Sequence, residues 1–114
     1  MIQKTDSRML SLMIDKMYRL IEIYQNHSRD EINNNYVLSD SVQFEFEKLY
    51  EDYTRLSVEF RISHKELPID KLSGIRNRVA HDYASVTMEI LLDTIEKDIP
   101  VFRQALKAIL EENN

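Results

Sequence analysis

The chain contains no cysteine and no tryptophan, a single glycine (Gly74) and only two prolines (Pro68, Pro100) in 114 residues. Without cysteine, disulfides and thiolate metal sites are excluded, and an intracellular, cytoplasmic home is natural. So little glycine and proline leaves little turn material, which favours long helices joined by short connections. No run of about 18 apolar residues exists, so no membrane span is expected. The opening MIQKTDSRML lacks the apolar core of a secretion signal. No glycine-rich phosphate loop is present, which argues against nucleotide hydrolysis. No His/carboxylate cluster has metal-ligand spacing, so neither a metal nor another cofactor is expected.

Positive charge is also scarce. Fifteen Lys/Arg against 20 Asp/Glu give a formal charge of −5. That argues against non-specific coating of nucleic acid or anionic membrane, and no DNA partner is expected. The deficit is uneven. Residues 1–60 carry 7 basic against 11 acidic side chains, and residues 84–114 carry 3 against 6. Residues 61–83 carry 5 against 3, the one positive stretch, and hold two of the three histidines, His64 and His81.

What remains is helical pattern. With 43% hydrophobic residues, residues 1–114 can form one domain with a modest core. Asp6 and Ser7 are candidate caps for a first helix to about Gln25, with Leu10, Met13, Met17, Leu20 and Tyr24 on its apolar stripe and Ile14 and Ile21 widening it. Ser28 can cap one short helical turn. A long helix is expected from about Val37 to Ile62, because Val42, Phe46, Leu49, Tyr53, Leu56 and Phe60 recur at alternating steps of four and three. Pro68 ends that region. Ile69 to about Ala80 reads as a shorter helix with Leu72, Ile75 and Val79 inward. Ser85 or Thr87 would cap a further helix holding Leu91, Ile95 and Ile99. Asp98 and Pro100 mark a fresh start for a last helix with Phe102, Ala105, Leu106, Ile109 and Leu110. The expected fold is all-α, an antiparallel bundle of about five helices. Two wide apolar faces on so small a chain suggest a homodimer.

Chemistry concentrates in GIRNRVAHDY, residues 74–83. Arg76 and His81 are five apart, about 140° on a continuous helix, so they converge only if the helix unwinds near His81 or the Arg side chain bends round. Asn77 and His81 are four apart and share a face. Tyr83 falls just past the expected helix end. A permanent cation, a group that titrates near neutrality and two hydrogen-bonding groups are thereby gathered. A lone histidine near a helix end is more often a cap or a surface group than a catalyst, and His27 and His64 are read that way.

The pattern R-x-x-x-x-H-x-Y, Arg76 through His81 to Tyr83, resembles the signature of the HepT-like toxins of the HEPN superfamily, small all-helical ribonucleases. The resemblance covers nearly the whole chain: the first helix, the short SRDEINNNY turn, the FEKLYEDYTRLS stretch and the tail KDIPVFRQAL. Glu51 takes the place of the family's long-helix glutamate. Its neighbours are Tyr50 and Asp52 where the family has small residues, Ile69 follows Pro68 in place of an aromatic, and Asp82 stands where a glycine usually precedes the motif tyrosine.

The resemblance implies a metal-independent endoribonuclease toxin of a type VII toxin–antitoxin system, acting on RNA as a homodimer whose motifs share a cleft. Arg76 and His81 would be catalytic, with Asn77, Arg78 and Glu51 in support. These are apt groups for the task. A histidine can give or take a proton at neutral pH, and a guanidinium grips two phosphate oxygens throughout the reaction. The implied partner is an MNT-type nucleotidyltransferase antitoxin, which would AMPylate Tyr83. The competing reading is a non-catalytic helical subunit that binds substrate or nucleotide for such a nucleotidyltransferase.

Overall fold

The structure, a computed structural model, describes residues 2–67 and 84–113; for 84–87 it describes the backbone alone. Among the described residues are six helices and no strand. They are α1 (Lys4–Asn26), α2 (Arg29–Asn34), α3 (Tyr36–Thr54), α4 (Val58–Ser63), α5 (Ala84–Lys97) and α6 (Ile99–Glu112). The fold is the expected all-α bundle. The helix expected over 69–80, with Leu72, Ile75 and Val79, lies outside the described residues.

Helix α1 is the centre, packed against α3, α5 and α6. Its buried stripe is Met9, Leu10, Met13, Ile14, Met17 and Leu20, the three-and-four spacing that gathers apolar groups on one side of a helix. Ile32 of α2, Val42, Phe46 and Leu49 of α3, Met88, Leu91, Leu92 and Ile95 of α5, and Phe102, Leu106 and Ile109 of α6 join it in one core cluster.

Polar contacts fix the direction of packing. Along α1, Asp6, Lys16 and Arg19 meet Ser57, Asp52 and Glu45 in turn. Ascending numbers on one side meet descending numbers on the other, so α1 and the α3–α4 arm run antiparallel. Helix α6 also opposes α1: Arg103 donates to the Ile14 carbonyl and Asn113 accepts from the Ile2 N–H.

Three expected boundaries differ. Helix α1 begins at Lys4 behind Gln3, which makes no side-chain cap bond; Asp6 and Ser7 lie inside its first turns, and Asp6 is buried instead. The long helix over 37–62 is broken at Arg55–Ser57. Arg55 N–H and Leu56 N–H turn back to the Asp52 and Tyr53 carbonyls, both at 3.1 Å. Arg61 closes the end by donating to the Thr54 carbonyl at 2.6 Å, and Ser57 restarts the chain by accepting from the Phe60 N–H at 3.1 Å. Each contact supplies a partner that a helix end would otherwise lack. The break preserves the apolar phase, since Leu56 and Phe60 are both buried. Last, α5 is already helical at Ala84, so Ser85 and Thr87 lie within its span rather than ahead of it.

Other ends follow the sequence. Ser28 and Glu31 form a reciprocal capping box at α2. Asn35 caps α3 by accepting from the Val37 N–H at 3.0 Å. Pro100 sits in the first turn of α6 after Asp98. No helix among the described residues is long and apolar enough to cross a membrane.

Candidate functional site

Arg76, Asn77, Arg78, His81 and Tyr83 lie outside the described residues. What the structure gives is the frame from which that segment departs and to which it returns. It departs after α4, where His64 follows the last turn. The His64 backbone N–H donates to the Phe60 carbonyl at 3.0 Å, its ring stacks on Phe60 with centroids 4.4 Å apart, and its Nδ1 lies 3.3 Å from Glu66 Oε1. Leu67 then drops into the core. The chain returns at Ala84, one residue after Tyr83, directly into α5, whose inner side is buried from Met88 onward.

The far side of α5 is held by a charge network that the sequence reading missed. The Arg29 guanidinium reaches Glu89 at 3.0 Å, Asp93 at 2.9 Å and Glu96 at 3.1 Å. It also donates to the Tyr24 hydroxyl at 3.1 and 3.2 Å, while that hydroxyl donates to Glu96. Tyr24, then the acids, hold the guanidinium more firmly protonated than usual. Tyr24 first and Arg29 second hold the Glu96 carboxyl below its ordinary range. The signal was legible: Glu89, Asp93 and Glu96 stand at steps of four and three, one face of one helix. The cation that meets them lies 60 residues upstream of Glu89, a separation that periodicity cannot bridge.

Glu51, the one proposed site residue within the described part, lies on the exposed side of α3. Its carboxylate faces Lys48 at 3.4 Å. Lys48 in turn lies over the Phe44 ring, 5.3 Å from its centroid. Phe44 and Val37, seven residues before it, are both exposed, so Val37, Phe44 and Glu51 stand at steps of seven on one outward stripe. The neighbour Asp52 faces the opposite way. It is 5% exposed and pairs with Lys16 of α1 at 2.7 Å. The contact is ionic in character, for the Asp52 Oδ2 lacks a well-aligned hydrogen bond. Tyr50 packs partly against the core and tilts against Tyr53, ring centroids 6.2 Å apart. The bulky neighbours of Glu51 thus serve the packing of α3 and leave the glutamate itself outside.

Among the described residues no three His, Asp or Glu side chains converge as metal ligands. The arrangement is an all-helical scaffold with anchored flanks on either side of an Arg–His–Tyr segment, and comparison with known proteins gives that class its family. The family model described as "Ribonuclease HepT-like" matches residues 13–109. The chain belongs to this family, a family of ribonucleases. A protein of Caldanaerobacter subterraneus subsp. tengcongensis named "Putative RNase TTE0752" is 28% identical over 109 residues, covering 96% of this chain and 97% of that protein. A Methanocaldococcus jannaschii protein named "Gamma-glutamylcyclotransferase and putative RNase MJ0434" is 22% identical over 107 residues, 90% of this chain and 48% of that longer protein. No solved structure matches the chain.

Proposed function

We propose that the protein is a metal-independent endoribonuclease whose catalytic pair is Arg76 and His81. The observation that carries this is the family match across residues 13–109, which spans both residues with the motif intact. In the reaction, the 2′-oxygen of a ribose attacks the adjacent phosphorus as its proton leaves to a base. The new O2′–P bond forms and the P–O5′ bond breaks. A proton is supplied to the departing 5′-oxygen, giving a 2′,3′-cyclic phosphate and a 5′-hydroxyl. His81 serves in the proton transfers, and Arg76 offsets the charge that builds on the phosphorane oxygens. Asn77 orients the imidazole or a phosphate oxygen, and Arg78 binds the RNA backbone.

The active unit in this reading is a homodimer. The outward stripe of Val37 and Phe44, with Glu51 in line, supports it, because a second copy covering those side chains would remove them from water. The same copy would double the positive 61–83 stretch into one groove on an otherwise acidic protein. Control comes from an MNT-type nucleotidyltransferase antitoxin, in a toxin–antitoxin pair acting in the cytoplasm. The Tyr83 hydroxyl attacks the α-phosphorus of ATP, the bond to the β-phosphate oxygen breaks, and pyrophosphate leaves. The resulting phosphodiester competes with RNA for the Arg76 guanidinium.

A covalently closed circular RNA tests the activity. An endonuclease linearises it in the presence of chelator. A circle left intact at enzyme excess, while a linear RNA is bound, would favour the non-catalytic binding subunit.

A further inference from the structure

A cleft of about 460 Å³ opens where the start of α1, the length of α4 and the end of α6 meet. Among the described residues, Glu51 of the proposed site is not one of its walls. Its size is that of a small-molecule pocket and suits a nucleoside better than a bare cation. Asp6, Glu59, Phe60, Ser63, His64 and Asn113 are among its walls.

These walls have a definite chemistry. The His64 and Phe60 rings are stacked on each other with planes 35° apart, and Glu66 steadies the imidazole. An aromatic surface is therefore in place before anything binds, and a planar base can stack on it at little ordering cost. The acceptors are carboxylates. Asp6 is buried and takes the Ser57 N–H at 2.7 Å and the Ser57 hydroxyl at 2.6 Å, which leaves about half of a carboxylate's acceptor capacity unused. Glu59 stands exposed in the first turn of α4, with no hydrogen-bond or ion-pair partner among the described residues.

Two carboxylates repel phosphate and attract N–H donors, so the cleft suits the base of a nucleotide and not its phosphate. Guanine alone among the four RNA bases presents two adjacent donors, N1–H and the N2 amine, on its pairing edge. Adenine and cytosine each place an amine beside an acceptor nitrogen, and uracil places its N–H between two carbonyls. A carboxylate accepts the guanine pair in bidentate fashion.

We propose that this cleft is a guanine-base pocket for the RNA substrate, with Glu59 reading the N1–H and N2 edge and His64 as the stacking surface. The choice of RNA as the source of the base rests on the ribonuclease reading above.

Binding of free nucleosides to the full chain, followed by NMR titration, tests the pocket without any cleavage step. Guanosine binds most tightly, and inosine, which lacks the N2 amine, binds roughly tenfold more weakly. Glu59→Gln removes the preference for guanosine over inosine; as Glu59 is exposed, the fold is retained. His64→Ala weakens every nucleoside, and His64→Phe restores stacking. Guanosine binding no tighter than adenosine, or a preference unchanged in Glu59→Gln, overturns the proposal. A protein that cuts RNA but ignores guanosine sinks the pocket alone. One that binds guanosine through Glu59 yet leaves RNA intact sinks the ribonuclease reading and leaves the pocket standing.

Discussion

The Asp6 carboxylate holds both the backbone N–H and the hydroxyl of Ser57, 51 residues away, at 2.7 and 2.6 Å. That pair fastens the first turn of α1 to the point where the chain restarts as α4. Both of its oxygens are used while the side chain is almost wholly buried, so the helix break at 55–57 is tied to the bundle rather than left as a surface kink. Asp6→Ala is expected to destabilise the protein by about 1.5–3 kcal/mol, the range for a hydrogen bond to a charged group. Ser57→Ala loses the hydroxyl bond to Asp6 while keeping the backbone one, and also loses a helix cap, itself about 1 kcal/mol. Urea unfolding of both single variants and the double checks this. The double should cost clearly less than the two singles added together, and strict additivity would contradict the pairing.

Lys16 and Asp52 form the second tie between α1 and the α3 arm. Lys16→Met strands a buried carboxylate and should cost about 3–5 kcal/mol. Lys16→Met combined with Asp52→Leu should regain most of that, because a buried ion pair and a well-packed apolar pair are often close in stability. Thermal unfolding of the three variants decides it. A double variant no more stable than Lys16→Met would mean that packing, not charge, sets the loss.

Helix positions were largely legible in the sequence, and the reasons are local. Leu10, Met13, Met17 and Leu20 were expected inward and are buried, and Phe102, Leu106 and Ile109 likewise. Ser28 and Asp98 were read as helix starts from local chemistry alone. What escaped was polar and long-range. Asp6 was read as a cap because a carboxylate near a chain start usually is one; its partner lies across the bundle. Ser57 was hidden by a heptad that continues through the break, although a serine followed by Glu59 is itself a start signal. Asp52 follows Leu49 by three and Lys16 follows Met13 by three, so both charges stood on core-facing positions. Pairing them requires the antiparallel register that only the fold supplies. Of the proposed site, Glu51 was correctly placed on the long helix, while its outward direction was not foreseen.

Acid should loosen the polar shell in a defined way. His27 and the Ser28 N–H hold the Glu31 carboxyl below its ordinary 4.5, and Tyr24 and Arg29 do the same for Glu96. A carboxyl depressed in the folded state stabilises above its unfolded value, and that contribution is lost as the pH falls through the folded value. The urea midpoint should therefore drop on acidification below about pH 4.5. Tyr24→Phe combined with Arg29→Gln should flatten the share of that drop that belongs to Glu96. An unchanged acid profile in the double variant would show that the Arg29 network does not couple to folding.

Tyr83 is the expected point of control. Incubation with the cognate nucleotidyltransferase and ATP should add one or more AMP units to the Tyr83 peptide, read by mass spectrometry. Tyr83→Phe should escape both the modification and the loss of activity. A fully neutralised protein carrying only the unmodified peptide would mean that the antitoxin acts by binding.

The central claim is that Arg76 and His81 perform RNA cleavage. Its most direct test is the initial rate of cutting of a labelled RNA, in chelator, by the wild-type protein and by folded Arg76→Ala and His81→Ala variants. The account predicts metal-independent cutting by the wild type and a loss of about 10²-fold or more in each variant, the usual scale for removing a general acid or base and for removing a group that stabilises transition-state charge. Full activity in either folded variant would contradict it.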